Sequence, residues 1–263
     1  MTAYMDHKDL GNVEISQERR DEIMRNVHEV FERIRTACEN SGRDPQTVQL
    51  LAATKTRDVG EILAAVDAGV RLIGENRPQE VLAKAEILRE QCKSRNIELG
   101  GAELPFHLIG QLQSNKISKV LPFINAIESV DSFELAQKIA RRACARNINT
   151  DVLLEVNVSG EESKSGCVPA QALDIAQKIA GLEGVQLSGL MSVGAHVLDK
   201  TVIAQGFQKL RELRDEILNS GVQGVQFCKE LSMGMSFDLD IAIAQGSTIV
   251  RVGTAIFGER DFK

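Results

Sequence analysis

Eight short apolar runs, spaced by stretches of helical periodicity, constrain this chain more than any other feature of its sequence. The runs are 48–54 (VQLLAAT), 72–75 (LIGE), 105–110 (PFHLIG), 124–130 (INAIESV), 151–158 (DVLLEVNV), 185–193 (VQLSGLMSV), 230–236 (ELSMGMS) and 247–254 (STIVRVGT). Between them the apolar residues recur at three- and four-residue intervals, which predicts helices near 58–69, 78–96, 114–120, 131–146, 169–182, 199–220 and 238–245. Strand–helix alternation of this kind implies a parallel sheet, and near-continuous apolar runs such as VLLEV suit strands covered on both faces. Eight such units in 263 residues predict an α/β chain folded as a single-domain (β/α)8 TIM barrel. A doubly wound open sheet is the competing architecture, since a sequence does not show whether the strand row closes. Ahead of the first run, Ser16 is suited to cap a helix whose Ile23, Val27, Val30, Phe31, Ile34 and Cys38 line one face. Residues 1–15 read as a mobile polar tail and 16–263 as one barrel domain, with no Pro/Gly/Ser-rich linker inside it.

Composition excludes several functions. The chain has nine Phe, one Tyr (Tyr4) and no Trp, too few rings for a platform that stacks single-stranded bases. Its four His (His7, His28, His107, His196) leave little material for a metal site. A net charge of −6 offers no attraction to nucleic acid or to an anionic membrane surface. The five Cys are widely spaced, with Cys144 and Cys167 the nearest pair in sequence. That spacing argues against a CxxC motif and a disulfide framework. No run is long and apolar enough for a membrane span, and the N-terminus lacks a signal-peptide core. The expected setting is cytoplasmic.

In a barrel, function resides at the C-terminal strand ends. Lys55 follows the first run and precedes Thr56-Arg57. Burial at a barrel mouth and a like charge nearby would lower its pKa and make it a nucleophile toward carbonyls, although the spacing alone favours a surface lysine lying along apolar neighbours. SMGMSFDLDIAIAQG (232–246) is a strand-to-helix junction in which Gly234 turns the chain and Ser236 is positioned as a cap. It could receive a phosphate, or Asp238 and Asp240 could simply satisfy the helix start. Arg251 lies mid-strand between apolar neighbours, so it needs a carboxylate or a ligand atom as acceptor. Gly253 and Thr254 offer close backbone approach and a hydroxyl, at the place where barrels often hold phosphate. His107 reads first as a satisfied core histidine and second as a ligand contact. His28 and the 161–166 loop read as solvated, and Gln111–Lys116 could reach the barrel mouth or merely cap a short helix.

These residues together resemble the pyridoxal phosphate homeostasis proteins. The resemblance rests on Lys55, Gly74-Glu75-Asn76, HLIGQLQSNK (107–116), SKSG (163–166), GLM (189–191), LSMGMSFDLDIAIAQGST (231–248) and VRVGTAIFG (250–258), and runs from about residue 16 to the C-terminus. Thr54, Asp58 (where proline is common), Leu108 and Val252 depart from the pattern. The resemblance implies a barrel of PLP fold-type-III character, similar to the N-terminal domain of alanine racemase and holding pyridoxal 5′-phosphate (PLP). Lys55 would form the internal aldimine, and Ser236, Gly253 and Thr254 would hold the phosphate. Arg251 would face the pyridine nitrogen, Asn76 would lie near the ring oxygen, and Met191 would pack on the ring, with His107 also in the site. Members are regarded as cofactor carriers without established turnover, with PLP-requiring apo-enzymes as prospective recipients. Metal and catalytic residues are not expected.

Two other functions fit parts of the pattern. A PLP-dependent amino-acid racemase needs a base on each face of the substrate carbon, for which Lys55 with His107 or a water would have to serve. A Schiff-base aldolase would use Lys55 on a sugar phosphate without cofactor. An Arg facing the ring nitrogen weakens the electron sink, and the single tyrosine lies in the tail, so carriage is favoured over turnover. A monomer is expected.

Overall fold

A computed structural model describes residues 9–95, 97, 106–161 and 163–259. Eight parallel strands close on themselves in chain order: β1 (Gln49–Ala53), β2 (Leu72–Glu75), β3 (Phe106–Leu108), β4 (Ile124–Val130), β5 (Thr150–Glu155), β6 (Val185–Met191), β7 (Glu230–Ser232) and β8 (Ile249–Val252). β8 pairs back onto β1, with Leu50 opposite Val250 and Leu51 opposite Arg251. The expected barrel is thus the observed one, and the open sheet is excluded. β2 and β4 match their apolar runs, and the other six strands are shorter, because several run residues instead form the turns at the mouth.

The helices are α1 (Gln17–Asn40), α2 (Val59–Asp67), α3 (Pro78–Ser94), α4 (Ile117–Val120), α5 (Phe133–Cys144), α6 (Pro169–Ala180), α7 (Lys200–Asn219), α8 (Leu239–Ala244) and α9 (Thr254–Phe257). Ser16 caps α1 by accepting from the Arg19 N–H, and the predicted apolar stripe is buried through Ile23, Val27, Val30, Ile34 and Cys38. α1 precedes every strand, yet it packs against α2, α8 and α9. It therefore fills the place in the helix ring that a long helix after β8 would otherwise take.

Alternation along the strands sorts side chains between the helix layer and the lumen. Leu50, Ala52, Val250 and Val252 pack with α1 residues, whereas Leu51 and Ile249 belong to a separate cluster with Leu72. Phe106, Leu108, Ile127, Val152, Leu154, Leu190 and Leu231 join the helix-side core. By the same alternation His107, Glu128, Glu155, Ser232 and Arg251 face inward. Barrel lumens are usually filled by branched aliphatic residues, and this one is polar toward its C-terminal end.

The tail expected over residues 1–15 is corrected for its described part. Leu10 is buried, and the Leu10 and Asn12 carbonyls accept from the Val59 and Gly60 N–H groups at 3.1 and 2.9 Å. Residues 9–15 thus satisfy the first turn of α2, while Asp58 caps that helix by accepting from the Glu61 N–H at 3.0 Å. The side chain at 58 thereby does helix-capping work that a proline could not. Residues 1–8, including Tyr4 and His7, lie outside the described residues.

At Gly189, on β6, an added Cβ would stand 2.2 Å from the Glu230 carbonyl oxygen. At Gly181 it would meet only the Lys178 carbonyl, at 3.7 Å. Gly189→Ala should therefore lower stability by about 1–3 kcal/mol, the usual range for overpacking, with Gly181→Ala near neutral. Urea unfolding of the two variants side by side checks this.

Candidate functional site

Lys55 stands two residues beyond β1, on the inward side by continuation of the Leu51, Ala53 alternation. Its amine-bearing chain lines a hollow at the mouth together with Ala53, Arg57, Gly253, Thr254 and Phe257. Arg57 is fixed there: its Nη2 donates to the Gly258 carbonyl at 2.9 Å, and its guanidinium lies over the Phe257 ring, 5.7 Å from the centroid. α1 steadies the same turn, with Arg19 Nη2 donating to the Phe257 carbonyl at 2.7 Å and Asn26 Nδ2 to the Ile256 carbonyl at 2.9 Å. Gly253 packs so closely on β1 that a Cβ would lie 3.2 Å from the Ala53 carbonyl oxygen.

Ser236 does not cap the helix that follows it. Asp238 occupies that N-cap position, and its Oδ1 accepts from the Met235 N–H at 2.6 Å. The Ser236 hydroxyl instead accepts from the Ala255 N–H at 3.3 Å, tying the loop after β7 to the turn after β8. Ser236 is thereby brought beside the turn that carries Gly253 and Thr254. The strand expected to run through Thr254 ends at Val252, and Gly253 leads into α9.

Arg251 is buried and reaches its acceptors inside the lumen. Its Nη1 donates to the Ser232 carbonyl and hydroxyl oxygens, each at 2.7 Å, and its Nη2 to the Ser192 carbonyl at 2.8 Å. The Ser232 hydroxyl donates to Glu128 Oε2 at 2.5 Å, and Glu128 Oε1 lies 2.7 Å from His107 Nδ1. Arg251, Ser232, Glu128 and His107 therefore form one chain from β8 through β7 to β4 and β3. Burial drives the Glu128 pKa up, but His107, Arg251 and Ser232 outweigh it and hold the carboxyl below its ordinary value. Burial likewise pushes the Arg251 pKa down, against the pull of Glu128, Glu155 and Asp238.

Asn76 follows β2 directly and Met191 ends β6, buried. The Asn76 Oδ1 and Ser192 Oγ atoms are buried without a hydrogen-bond partner. Unsatisfied buried polar atoms are rare and need a reason. Together with an amine, a guanidinium, a close-packed glycine and hydroxyls, they fit a small polar ligand bearing phosphate and carbonyl groups, as PLP does.

Sequence reasoning missed Glu128 and Glu155. Both carry charge inside apolar runs, the same signal that singled out Arg251. Among the described residues no group of three or more His, Cys, Asp or Glu is arranged to hold a metal ion. All five cysteines are free, and burial pushes the thiols of Cys167 and Cys228 up to about 11 and about 12, which disfavours their thiolates.

Residues 24–261 match the alanine racemase N-terminal domain family. The chain is 39% identical over 233 residues to the pyridoxal phosphate homeostasis protein of Aquifex aeolicus, covering 89% of this chain and 96% of the relative. The chain belongs to this family. A protein from Bifidobacterium adolescentis of known crystal structure is 62% identical, with a TM-score of 0.92 over 95% of this chain and all of that one. PipY of Synechococcus elongatus PCC7942, solved with PLP bound, is 30% identical, with a TM-score of 0.72 over 90% of this chain and all of PipY.

Glu155, at the inner end of β5, is pushed up to about 7 by burial and by Asp131, against the pull of Arg251. An acid whose folded pKa exceeds its unfolded value stabilises the fold at low pH and loses that contribution as pH rises through the folded pKa. Stability should therefore decline between about pH 4.5 and 7 by up to a few kcal/mol. Urea unfolding across that range should show a shallower slope in Glu155→Gln. Part of the slope should persist, because burial also lifts Glu75 to about 7.

Proposed function

We propose that this protein binds PLP at the barrel mouth and acts as a carrier or buffer of the cofactor. The observation that carries the reading is the convergence of Lys55, Arg57, Gly253 and Thr254 on one hollow, beside the buried Arg251 chain. Family membership and the PLP bound in PipY support it. PLP supplies an aldehyde that condenses with a primary amine and a ring that delocalises charge. In this chain Lys55 provides the amine. Ser236, Gly253 and Thr254 are suited to the phosphate, with Arg57 as an additional positive charge. Arg251, already anchored by Ser232 and Ser192, presents a guanidinium toward the ring nitrogen. Asn76, Met191 and His107 complete the surround.

Absence of turnover is part of the proposal. A guanidinium does not give the ring nitrogen a proton as a carboxylic acid would, which leaves a weak electron sink. His107 is engaged by Glu128 through Nδ1, which leaves Nε2 as the ring nitrogen on which the racemase reading depends, and the chain has a single tyrosine, Tyr4. The carrier reading needs no second base. We infer that the protein works as a monomer in the cytoplasm and passes PLP to apo-enzymes. Most apolar helix residues are spent on the barrel wall, and five unpaired cysteines suit a reducing compartment.

Purified protein mixed with PLP should develop a visible absorbance that borohydride abolishes, with the reduced label on Lys55. Lys55→Ala should lose that label. Retention of the same chromophore on another lysine would refute the assignment, and a colourless protein that takes up no PLP would favour the aldolase. Solvent deuterium appearing at Cα across a panel of amino acids would establish turnover and replace carriage with racemisation.

A further inference from the structure

Behind the Lys55 turn, on the helix side of the barrel wall, lies a buried ionic cluster that plays no part in the site described above. Lys84, on α3, is wholly buried. Its Nζ donates to the Thr54 carbonyl at 3.0 Å and to Glu75 Oε1 at 2.7 Å, and lies 3.4 Å from Glu80 Oε2. The Thr54 hydroxyl donates to the same Glu75 oxygen at 2.6 Å. Glu80 Oε2 accepts from the Thr56 N–H at 2.7 Å. The residues on both sides of Lys55 are therefore held by one cluster, which itself never faces the mouth.

Thr56 needs such a hold. Its φ is +65°, a left-handed conformation that costs an L-residue about 1–2 kcal/mol and is least tolerated by β-branched side chains. Strain of this kind persists only where the surroundings enforce it. Here the Glu80 carboxylate clamps the Thr56 N–H, and Lys84 neutralises that carboxylate while clamping the preceding carbonyl.

We propose that Glu80 and Lys84 are positioning residues for Lys55, fixing the main chain on either side of it and so the point at which its amine emerges into the mouth. Extended chain at Thr56 would redirect the backbone after Lys55 and swing the amine away from Gly253 and Thr254. The proposal rests on Lys55 being the lysine that takes PLP.

Removing Lys84 would strand two buried carboxylates, so the informative variants lie at Glu80 and Thr56. Glu80→Leu leaves Lys84 and Glu75 as a balanced pair but takes the acceptor from Thr56. It should weaken PLP affinity about tenfold, equivalent to about 1.4 kcal/mol. In cofactor-free protein it should alter the rate at which Lys55 is reductively methylated, read by peptide mass spectrometry. Glu80→Gln retains an acceptor oxygen and should stay near the parent in both measurements. Thr56→Gly, which adopts positive φ without strain, should return most of the affinity when added to Glu80→Leu. If Glu80→Leu does not fold, Thr56→Pro replaces it: proline fixes φ near −65° and lacks the N–H, so it should show the same losses. Parental affinity and methylation in a folded Glu80→Leu or Thr56→Pro overturns the proposal, as does equal loss in Glu80→Leu and Glu80→Gln. Should the parent protein itself take up no PLP on Lys55, the cofactor reading fails, while the methylation rates still report whether Glu80 sets the position of Lys55.

Discussion

A guanidinium sealed inside a barrel dictates much of what surrounds it. Leaving a buried charge without partners costs about 3–5 kcal/mol, so the strands facing Arg251 supply acceptors instead of the usual aliphatic filling. Ser232 offers both its carbonyl and its hydroxyl, and Ser192 its carbonyl. Glu128 supplies the counter-charge through Ser232 and in turn engages His107. Each of these groups would be expensive alone, and each is satisfied by the next. The polar lumen follows from one charged residue on β8.

Much of the architecture could be read from periodicity. Strand–helix alternation over the whole chain is a long, redundant signal, and it led to the closed eight-stranded barrel. Local chemistry was harder. Ser236 looked like a cap because it precedes a helix, yet Asp238 takes that place, since the turn at Met235–Asp238 brings the later residue to the helix start. Residues 9–15 read as a free tail because their apolar residues, Leu10, Val13 and Ile15, are isolated among polar ones. Part of their contribution is made by backbone carbonyls, which carry no signature in the sequence.

The cluster around Lys84 shows a different limit. Lys84, Glu80 and Glu75 each read as ordinary members of a helix or a strand end. What makes them a unit is the β1–β2 register, which sets Ala53 opposite Gly74, together with the placement of α3 against β2 and β3. Arg251 was visible because a charge within an apolar run stands out in one dimension. An ionic cluster gathered from three elements becomes visible only in three.

The hydrogen bond between Ser232 and Glu128 joins β7 to β4, strands that are not neighbours around the barrel. It runs across the lumen as a crossbeam, and the barrel register places Arg251 level with Leu51, four residues short of Lys55. Two walls that share no ladder are thereby tied to each other below the mouth, so the polar floor beneath the Lys55 turn is fixed from both sides of the barrel.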